Sequence, residues 1–183
     1  MIEKRWRALA GEEVVLRDAV LAALRDCRNE GLGTMVHIGS DSQQFGKETQ
    51  YCTVVIVVKE GKGARVFFNR ERVPRIRTLR ERLYNEVWRS TELAMELTST
   101  PDVGLADELS EADITIHVDA NVDPAYKSSE YVQELAGLCV GMGFSQVLLK
   151  PDSWAASHAA DHVVKHRDER RKPHAERRGG RAV

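Results

Sequence analysis

Two stretches of the chain, TMVHIGSD at residues 34–41 and ITIHVD at residues 114–119, decide the fold. Each contains the Val and Ile residues typical of a buried strand, and each ends on an aspartate. If the two strands are parallel neighbours, their carboxyl ends meet at one edge of the sheet, and Asp41 and Asp119 then lie side by side. The pattern raises the question of why two core strands should both end on a carboxylate.

Hydrophobic periodicity around these stretches predicts a mixed α/β fold. The predicted order is β-β-β-α-β-α-β-α, which gives a five-stranded sheet, and an extra helix precedes it at the N-terminus. In chain order the predicted elements are a helix over 12–29, strands over 34–40, 51–59 and 64–73, a helix over 76–99, a strand over 113–119, a helix around 132–142, a strand over 145–150 and a helix from 151 to about 166.

We expect three parts along the chain: a helical segment over residues 1–31 packed on the domain, the domain itself over 32–166, and a basic tail over 167–183. Residues 165–181 carry eight basic and three acidic side chains, whereas the whole chain has a net charge of -1. A tail this basic, with almost no apolar residue, is typical of a disordered segment. It either only solubilises the chain or attracts a polyanion such as nucleic acid.

The composition, 42% hydrophobic and 30% charged residues in a chain of 183, is typical of one globular domain. Charged residues interrupt the N-terminal segment, so neither a signal peptide nor a membrane span is predicted there. We therefore expect a cytoplasmic protein with no membrane partner. Cys27, Cys52 and Cys139 lack the paired spacing of a zinc site or a disulfide framework and are predicted to be core residues.

The long predicted helix carries a glutamate where an apolar residue is expected. Its core stripe advances by alternating steps of four and three residues and includes Glu86, which should therefore point at the sheet. The stripe consists of Leu79, Leu83, Glu86, Ser90, Leu93 and Leu97. A buried carboxylate has a raised pKa, and three carboxylates at one place repel one another. A divalent cation such as Mg²⁺ binds carboxylate oxygens and would resolve that conflict.

Each of these acids also has an ordinary structural interpretation. Asp41 and Asp119 can each cap the turn that follows its strand. Glu86 can pair with Arg82 or Arg89 on the helix surface if the stripe is displaced by one residue. The residues considered one at a time leave both interpretations open.

The order of elements and several motifs resemble the ribonuclease H fold and, within it, the bacterial YkuK-like family. The motifs are HIGSDSQ at 37–43, GKGAR at 61–65, RLYNEVWRSTELA at 82–94, IHVDAN at 116–121 and KPDSWAASHAAD at 150–161. The resemblance implies a metal-dependent nuclease that hydrolyses phosphodiester bonds of RNA or DNA with two Mg²⁺ or Mn²⁺ ions. The fold also hosts domains without this activity, so a catalytically inactive nucleic-acid-binding or scaffold domain is the alternative.

On this resemblance, Asp41, Glu86 and Asp119 carry over as catalytic residues and metal ligands. A fourth acid on the last helix completes many such sites, and Asp161 matches it best, with Asp152 as the runner-up. RNA, DNA, a hybrid and a branched junction would all need the same carboxylates, so the resemblance does not select among these substrates.

Histidines on the last predicted helix and beside the two aspartates are further candidates. His158, His162 and His166 recur every four residues, which predicts a polar face, a zinc site, or a proton shuttle formed by His158 or His162. His37 and His117 share the faces that bear the aspartates. They are predicted either to donate hydrogen bonds to those carboxylates or to be buried structural residues.

Two lysines follow strand ends on the same side of the predicted sheet. Lys127 and Lys150 are candidates for binding a backbone phosphate, and ordinary surface lysines are the alternative. Trp154 is predicted to belong to the core rather than to stack on a base.

Overall fold

The computed structural model describes residues 1–99, 108–110 and 113–155 of the chain. In chain order its strands and helices are β1 (Trp6–Ala8), β2 (Glu13–Val14), α1 (Leu16–Asn29), β3 (Thr34–Phe45), β4 (Glu48–Lys59), β5 (Gly63–Pro74), α2 (Leu79–Ser99), β6 (Ile114–Asn121), a 3-10 helix (Lys127–Tyr131), α3 (Val132–Gly141) and β7 (Val147–Lys150). The strands form one mixed sheet in the order β2-β1-β5-β4-β3-β6-β7. The predicted mixed α/β class is therefore confirmed.

Three strands rich in β-branched residues, β3, β4 and β5, form an antiparallel meander at the centre of the sheet. The turns that connect them contain Gly46 and Gly61, whose φ angles are 56° and 70°. Only glycine adopts such positive φ angles without strain, so these residues allow the tight connections. Each strand has twelve residues, so the β3 and β4 predictions were too short by five and three residues.

The strand that carries the second aspartate, β6, lies parallel to β3, which is the condition under which the sequence places the two aspartates side by side. Val36 is opposite Ile114 and Gly39 is opposite His117 in this parallel ladder. β7 lies parallel to β6 on its other side. The sheet therefore brings three strand segments to the same edge, which is where ligand sites of α/β sheets are found.

The prediction of five strands is wrong, because two short strands precede the first helix and extend the sheet to seven. β1 pairs with the outer edge of β5, and β2 pairs with β1. Strands of three and two residues are too short to show an alternating pattern, so periodicity could not reveal them. Trp6 is 1% exposed and anchors β1 in the core. The helix consequently starts at Leu16 rather than at residue 12.

The two faces of the sheet are covered unequally. The main core contains Val36, Ile38, Ile114 and Ile116 from the central strands, packed with apolar residues of α1 and α2. The opposite face has a smaller cluster made by Cys52, Val54, Ile56 and Phe68, and Ala155 packs against it. The three cysteines are buried and free, as predicted.

The remaining elements agree in type with the sequence predictions. A 3-10 helix leads into α3, and Gly143, with a φ angle of 98°, follows the end of α3 close to the predicted stop. The last predicted helix does not begin at residue 151, because residues 151 and 152 form a turn and residues 153 and 154 are irregular. Beyond Ala155, this helix and the basic tail lie outside the described residues, so the boundaries at 166 and 167 stay predictions. Among the described residues, no helix has both the length and the apolar character needed to cross a membrane.

Candidate active site

Two of the predicted site residues, Asp41 and Asp119, lie just beyond the point where β3 and β6 stop pairing. The parallel ladder ends with Gly39 opposite His117, two residues before each aspartate. The sequence suggested that each aspartate ends its strand. Both strands continue past the aspartates, so the carboxylates lie within the strands. The aspartates therefore lie at a fork between two neighbouring strands.

Burial and mutual repulsion act on the first of these acids. Burial raises the pKa of Asp41 to about 6, and the negative charge of Asp119 acts in the same direction. The backbone N–H of Ser42 donates a hydrogen bond to Asp41 Oδ1 at 2.7 Å, which favours the ionised form. The cationic side chains of Lys150 and Arg82 also lower this pKa, but burial outweighs them.

The third predicted acid, Glu86, approaches the same place from α2. The helix is joined to β3 by a hydrogen bond from Ser90 Oγ to Ser40 Oγ, at 3.1 Å, one turn from Glu86. Glu86 is 5% exposed, as its place in the apolar stripe predicts, so the alternative of a surface ion pair with a helix arginine is wrong. Burial raises the pKa of Glu86 to about 8, and the charges of Asp41 and Asp119 contribute to the rise.

A lysine from the neighbouring strand contacts the second aspartate. Lys150, at the end of β7, forms an ion pair with Asp119 Oδ1. That oxygen is buried and receives no hydrogen bond of good geometry, so the charge of the ammonium group is what offsets its own. The sequence left Lys150 as either a candidate for binding a backbone phosphate or an ordinary surface lysine, and the structure places it on a carboxylate.

Buried polar atoms without a hydrogen-bond partner also occur on the neighbouring strands β4 and β5 and on α2. Within the described residues, the buried side-chain nitrogen and oxygen atoms that lack a hydrogen-bond partner are Tyr51 Oη, Arg70 Nε, Arg70 Nη2, Arg89 Nε and Asp119 Oδ1. Tyr51 is opposite Ser42 in the sheet, and Arg89 stacks on the ring of Tyr51 at 3.9 Å from its centroid. Such atoms are rare in native proteins and indicate a place for water, an ion or a ligand.

Comparison with known proteins agrees with this mixed α/β fold. The family model described as Ribonuclease H-like matches residues 22–165. The chain belongs to the ribonuclease H-like family. The uncharacterized protein YkuK of Bacillus subtilis (strain 168) is 28% identical to this ribonuclease H-like chain over 137 residues, 72% of this chain and 79% of that protein. The resemblance to the YkuK-like family is thus confirmed, and no solved structure matches the chain significantly.

The two histidines of this ribonuclease H-like sheet contact each other. His117 Nε2 lies 2.9 Å from His37 Nδ1, and His117 Nδ1 accepts a hydrogen bond from the backbone N–H of Trp154 at 3.2 Å. His117 therefore carries its proton on Nε2, and this N–H donates a hydrogen bond to His37 Nδ1. Because both nitrogens of His117 are engaged, the prediction that it donates to an aspartate is wrong. Burial lowers the pKa of His117 to about 4, which keeps the ring neutral.

The other predicted site residues do not join the carboxylates in the described part of the chain. Lys127 is exposed at the start of the 3-10 helix, and Asp152 is exposed after β7. Trp154 is 38% exposed, and its ring packs 5.1 Å from that of His37. The last-helix candidates, Asp161, His158, His162 and His166, lie outside the described residues.

Sequence reasoning missed the arginines and the tyrosine that border the site. The register of the two hairpins, counted from their glycine turns, would have revealed one of these residues, Arg70. This register places Asp41 opposite Cys52, and Cys52 opposite Arg70. Directly opposite residues share a face of a sheet, so Arg70 lies on the face that bears Asp41.

Proposed function

We propose that this ribonuclease H-like protein is a metal-dependent nuclease, with Asp41, Glu86 and Asp119 as the carboxylates that hold Mg²⁺ or Mn²⁺. The observation that carries the proposal is that these three acids approach one another from β3, α2 and β6. They are close enough that the negative charge of each aspartate raises the pKa of Glu86. A protein has little reason to bury mutually repelling carboxylates unless a cation or proton compensates them.

The residues present suit a hard divalent cation in their chemistry, although they do not form a ready coordination shell. Carboxylate oxygens are the ligands that Mg²⁺ and Mn²⁺ prefer, and Asp119 Oδ1 has no hydrogen bond to lose. Among residues 1–99, 108–110 and 113–155, no three His, Cys, Asp or Glu side chains are grouped so that they could hold a metal ion. Metal binding therefore requires local rearrangement, including release of Asp119 by Lys150.

In the proposed reaction, which is hydrolysis of a phosphodiester bond, the chain's own residues bind and orient the substrate. A water oxygen attacks phosphorus, the bond to one sugar oxygen breaks, and that oxygen takes up a proton, which leaves a phosphate monoester and a hydroxyl group. Bound divalent cations would supply an activated water and stabilise the charge on the leaving oxygen. Lys150, once displaced from Asp119, is free to neutralise a phosphate oxygen, as the sequence suggested.

We expect Lys150→Met to strengthen Mn²⁺ binding about tenfold, because the ammonium group no longer competes for Asp119. Isothermal titration of Mn²⁺ into the two proteins measures the difference. Lys127→Met is the matched control, since Lys127 is an exposed lysine in the connection that follows β6. Equal Mn²⁺ affinity in the wild type and Lys150→Met would contradict competition between the lysine and the cation.

The test of the proposed function is a cleavage assay on single-stranded RNA, duplex DNA, an RNA–DNA hybrid and a branched DNA junction. Each end-labelled substrate is incubated with the full chain in Mg²⁺, in Mn²⁺ and in EDTA. Cleavage that requires metal and disappears in Asp119→Asn supports the proposal. Binding without cleavage of any substrate would reject it in favour of a catalytically inactive nucleic-acid-binding domain.

For such a nucleic-acid-binding domain, removal of residues 167–183 should abolish binding and its salt dependence.

A further inference from the structure

The face of the sheet that bears Asp41 also carries a half-buried arginine that has no counter-ion among the described residues. Arg70 lies on β5 and is two strands away from Asp41, with Cys52 of β4 between them. Neighbouring strands are about 4.8 Å apart, so the two α-carbons are separated by about 10 Å. This distance lets the long arginine side chain reach a molecule that contacts Asp41.

The guanidinium group lies beside an aromatic ring and a thiol. Its carbon lies 5.5 Å from the centroid of the Phe68 ring, and its positive charge opposes the rise in the pKa of the Cys52 thiol, which burial raises to about 11. No carboxylate in the described part of the chain forms an ion pair with Arg70. Within these residues its positive charge is therefore not offset by an ion-paired carboxylate.

The atoms of Arg70 that lack a partner lie on one edge of the guanidinium group. Nε and Nη2 are both buried and both unpaired. Their two N–H groups point in parallel, which is the arrangement that binds two oxygens of a carboxylate or a phosphate at once. Because both atoms are shielded from solvent, an external oxygen ligand reaches them only after local rearrangement. The free energy that a buried, unpaired, charged donor costs favours such a rearrangement.

Arg89, whose Nε also lacks a hydrogen-bond partner, differs from Arg70 in its charge balance. Arg89 Nη2 lies 3.2 Å from Glu71, and its guanidinium group stacks on Tyr51. The charge of Arg89 is therefore already neutralised within the protein. Arg70 is the better candidate for an external anion because it has both the free edge and the uncompensated charge.

We propose that Arg70 binds a phosphate group of the substrate backbone through Nε and Nη2 and thereby positions the nucleic acid beside the three carboxylates. This deepens the proposed function and rests on it for the identity of the substrate. Binding of the phosphate group itself needs neither metal nor catalysis. Arg70 is a positioning residue here, since the bond that breaks lies at the carboxylates.

The test measures binding of a fluorescent single-stranded 20-nucleotide DNA in EDTA, with Arg70→Gln, Arg70→Lys and Arg72→Gln in the full chain. We expect Arg70→Gln to weaken binding about tenfold and to reduce the slope of log affinity against log salt by about 0.7. Arg70→Lys keeps the charge but not the paired donors, so it should recover only part of the loss. Arg72→Gln should change affinity less than about twofold, because Arg72 is 62% exposed and pairs with Glu48 at 3.2 Å.

A second readout uses inorganic phosphate. At constant ionic strength, phosphate should raise the melting temperature of the wild type and of Arg72→Gln but not that of Arg70→Gln. Wild-type DNA affinity in Arg70→Gln overturns the inference. So does a lower melting temperature in Arg70→Gln with unchanged DNA binding, which would show that the guanidinium group stabilises the fold and does not bind the substrate.

The failure of this inference and the failure of the proposed nuclease are distinguishable. If no substrate is cleaved but Arg70→Gln loses DNA and phosphate binding, the phosphate site stands and the nuclease assignment falls. If the wild type cleaves a substrate and Arg70→Gln does so with an unchanged KM, the nuclease assignment stands and the role of Arg70 falls. The supporting result is a raised KM with a smaller change in kcat.

Discussion

Asp41→Asn is expected to reduce metal-dependent cleavage at least about a thousandfold, equivalent to about 4 kcal/mol of transition-state stabilisation. Asp41 is the acid placed at the fork between β3 and β6, and an amide oxygen there is a weaker ligand for a divalent cation than a carboxylate. The variant should remain folded, because burial and the charge of Asp119 already disfavour the ionised carboxylate. The loss would therefore report on chemistry rather than on unfolding.

The measurement is the single-turnover cleavage rate at saturating Mg²⁺, together with a melting curve for each protein. Asp123→Asn is the matched control, because Asp123 is an exposed acid two residues beyond the end of β6. Its Oδ1 accepts a hydrogen bond from the Ala125 N–H at 2.9 Å, and an asparagine oxygen can do the same. A wild-type rate in Asp41→Asn, or an equal loss in the control, would rule out Asp41 as a metal ligand.

The second large effect concerns stability and pH. Without metal, we expect the free energy of unfolding of the wild type to fall by about 1 kcal/mol between pH 6.5 and pH 8, and that of Glu86→Gln not to fall. The pKa of Glu86 is raised to about 8 in the folded protein by burial, whereas its ordinary value is 4.5. Between these values the folded protein holds a proton that the unfolded chain has lost, so raising the pH favours unfolding.

The pH window is chosen so that Glu86 dominates it. His37 and His117 have pKa values lowered by burial from an ordinary value of 6.5, so in the unfolded chain they are still partly protonated at pH 6.5, and their effect opposes that of Glu86 by up to about 1 kcal/mol. Asp41, with a pKa of about 6, has lost most of its proton before the window begins. Glutamine keeps the shape of the neutral carboxyl group and cannot ionise, so its variant should show no fall in stability as the pH rises through this range.

Urea unfolding in EDTA at the two pH values measures this dependence. Glu81→Gln, an exposed acid in the first turn of the same helix, should keep the wild-type dependence. If Glu86→Gln is more stable than the wild type at pH 8 and also loses cleavage, the carboxylate is retained for function at a cost in stability. A Glu86→Gln protein with the same pH dependence as the wild type would show that Glu86 is already ionised near neutral pH.

Several features of the site followed from local pattern alone. The alternation of Val and Ile placed Asp41 and Asp119 on two core strands, and the stripe of α2 placed Glu86 against the sheet. These predictions succeeded because strand and helix periodicities are properties of a few consecutive residues. The short strands β1 and β2 escaped the same reasoning because they exist only by pairing with the edge of β5.

The sequence by itself determined the mixed α/β class, the membership of the ribonuclease H-like family and three acids on three separate elements. Only the tertiary structure decided which groups lie around those acids. It pairs Lys150 with Asp119, brings the two histidines into contact, and places the unpaired edge of Arg70 on the same face as Asp41. The physical reason is that these contacts join residues far apart in the chain. Their distances depend on strand register and burial, which the local hydrophobic pattern does not encode.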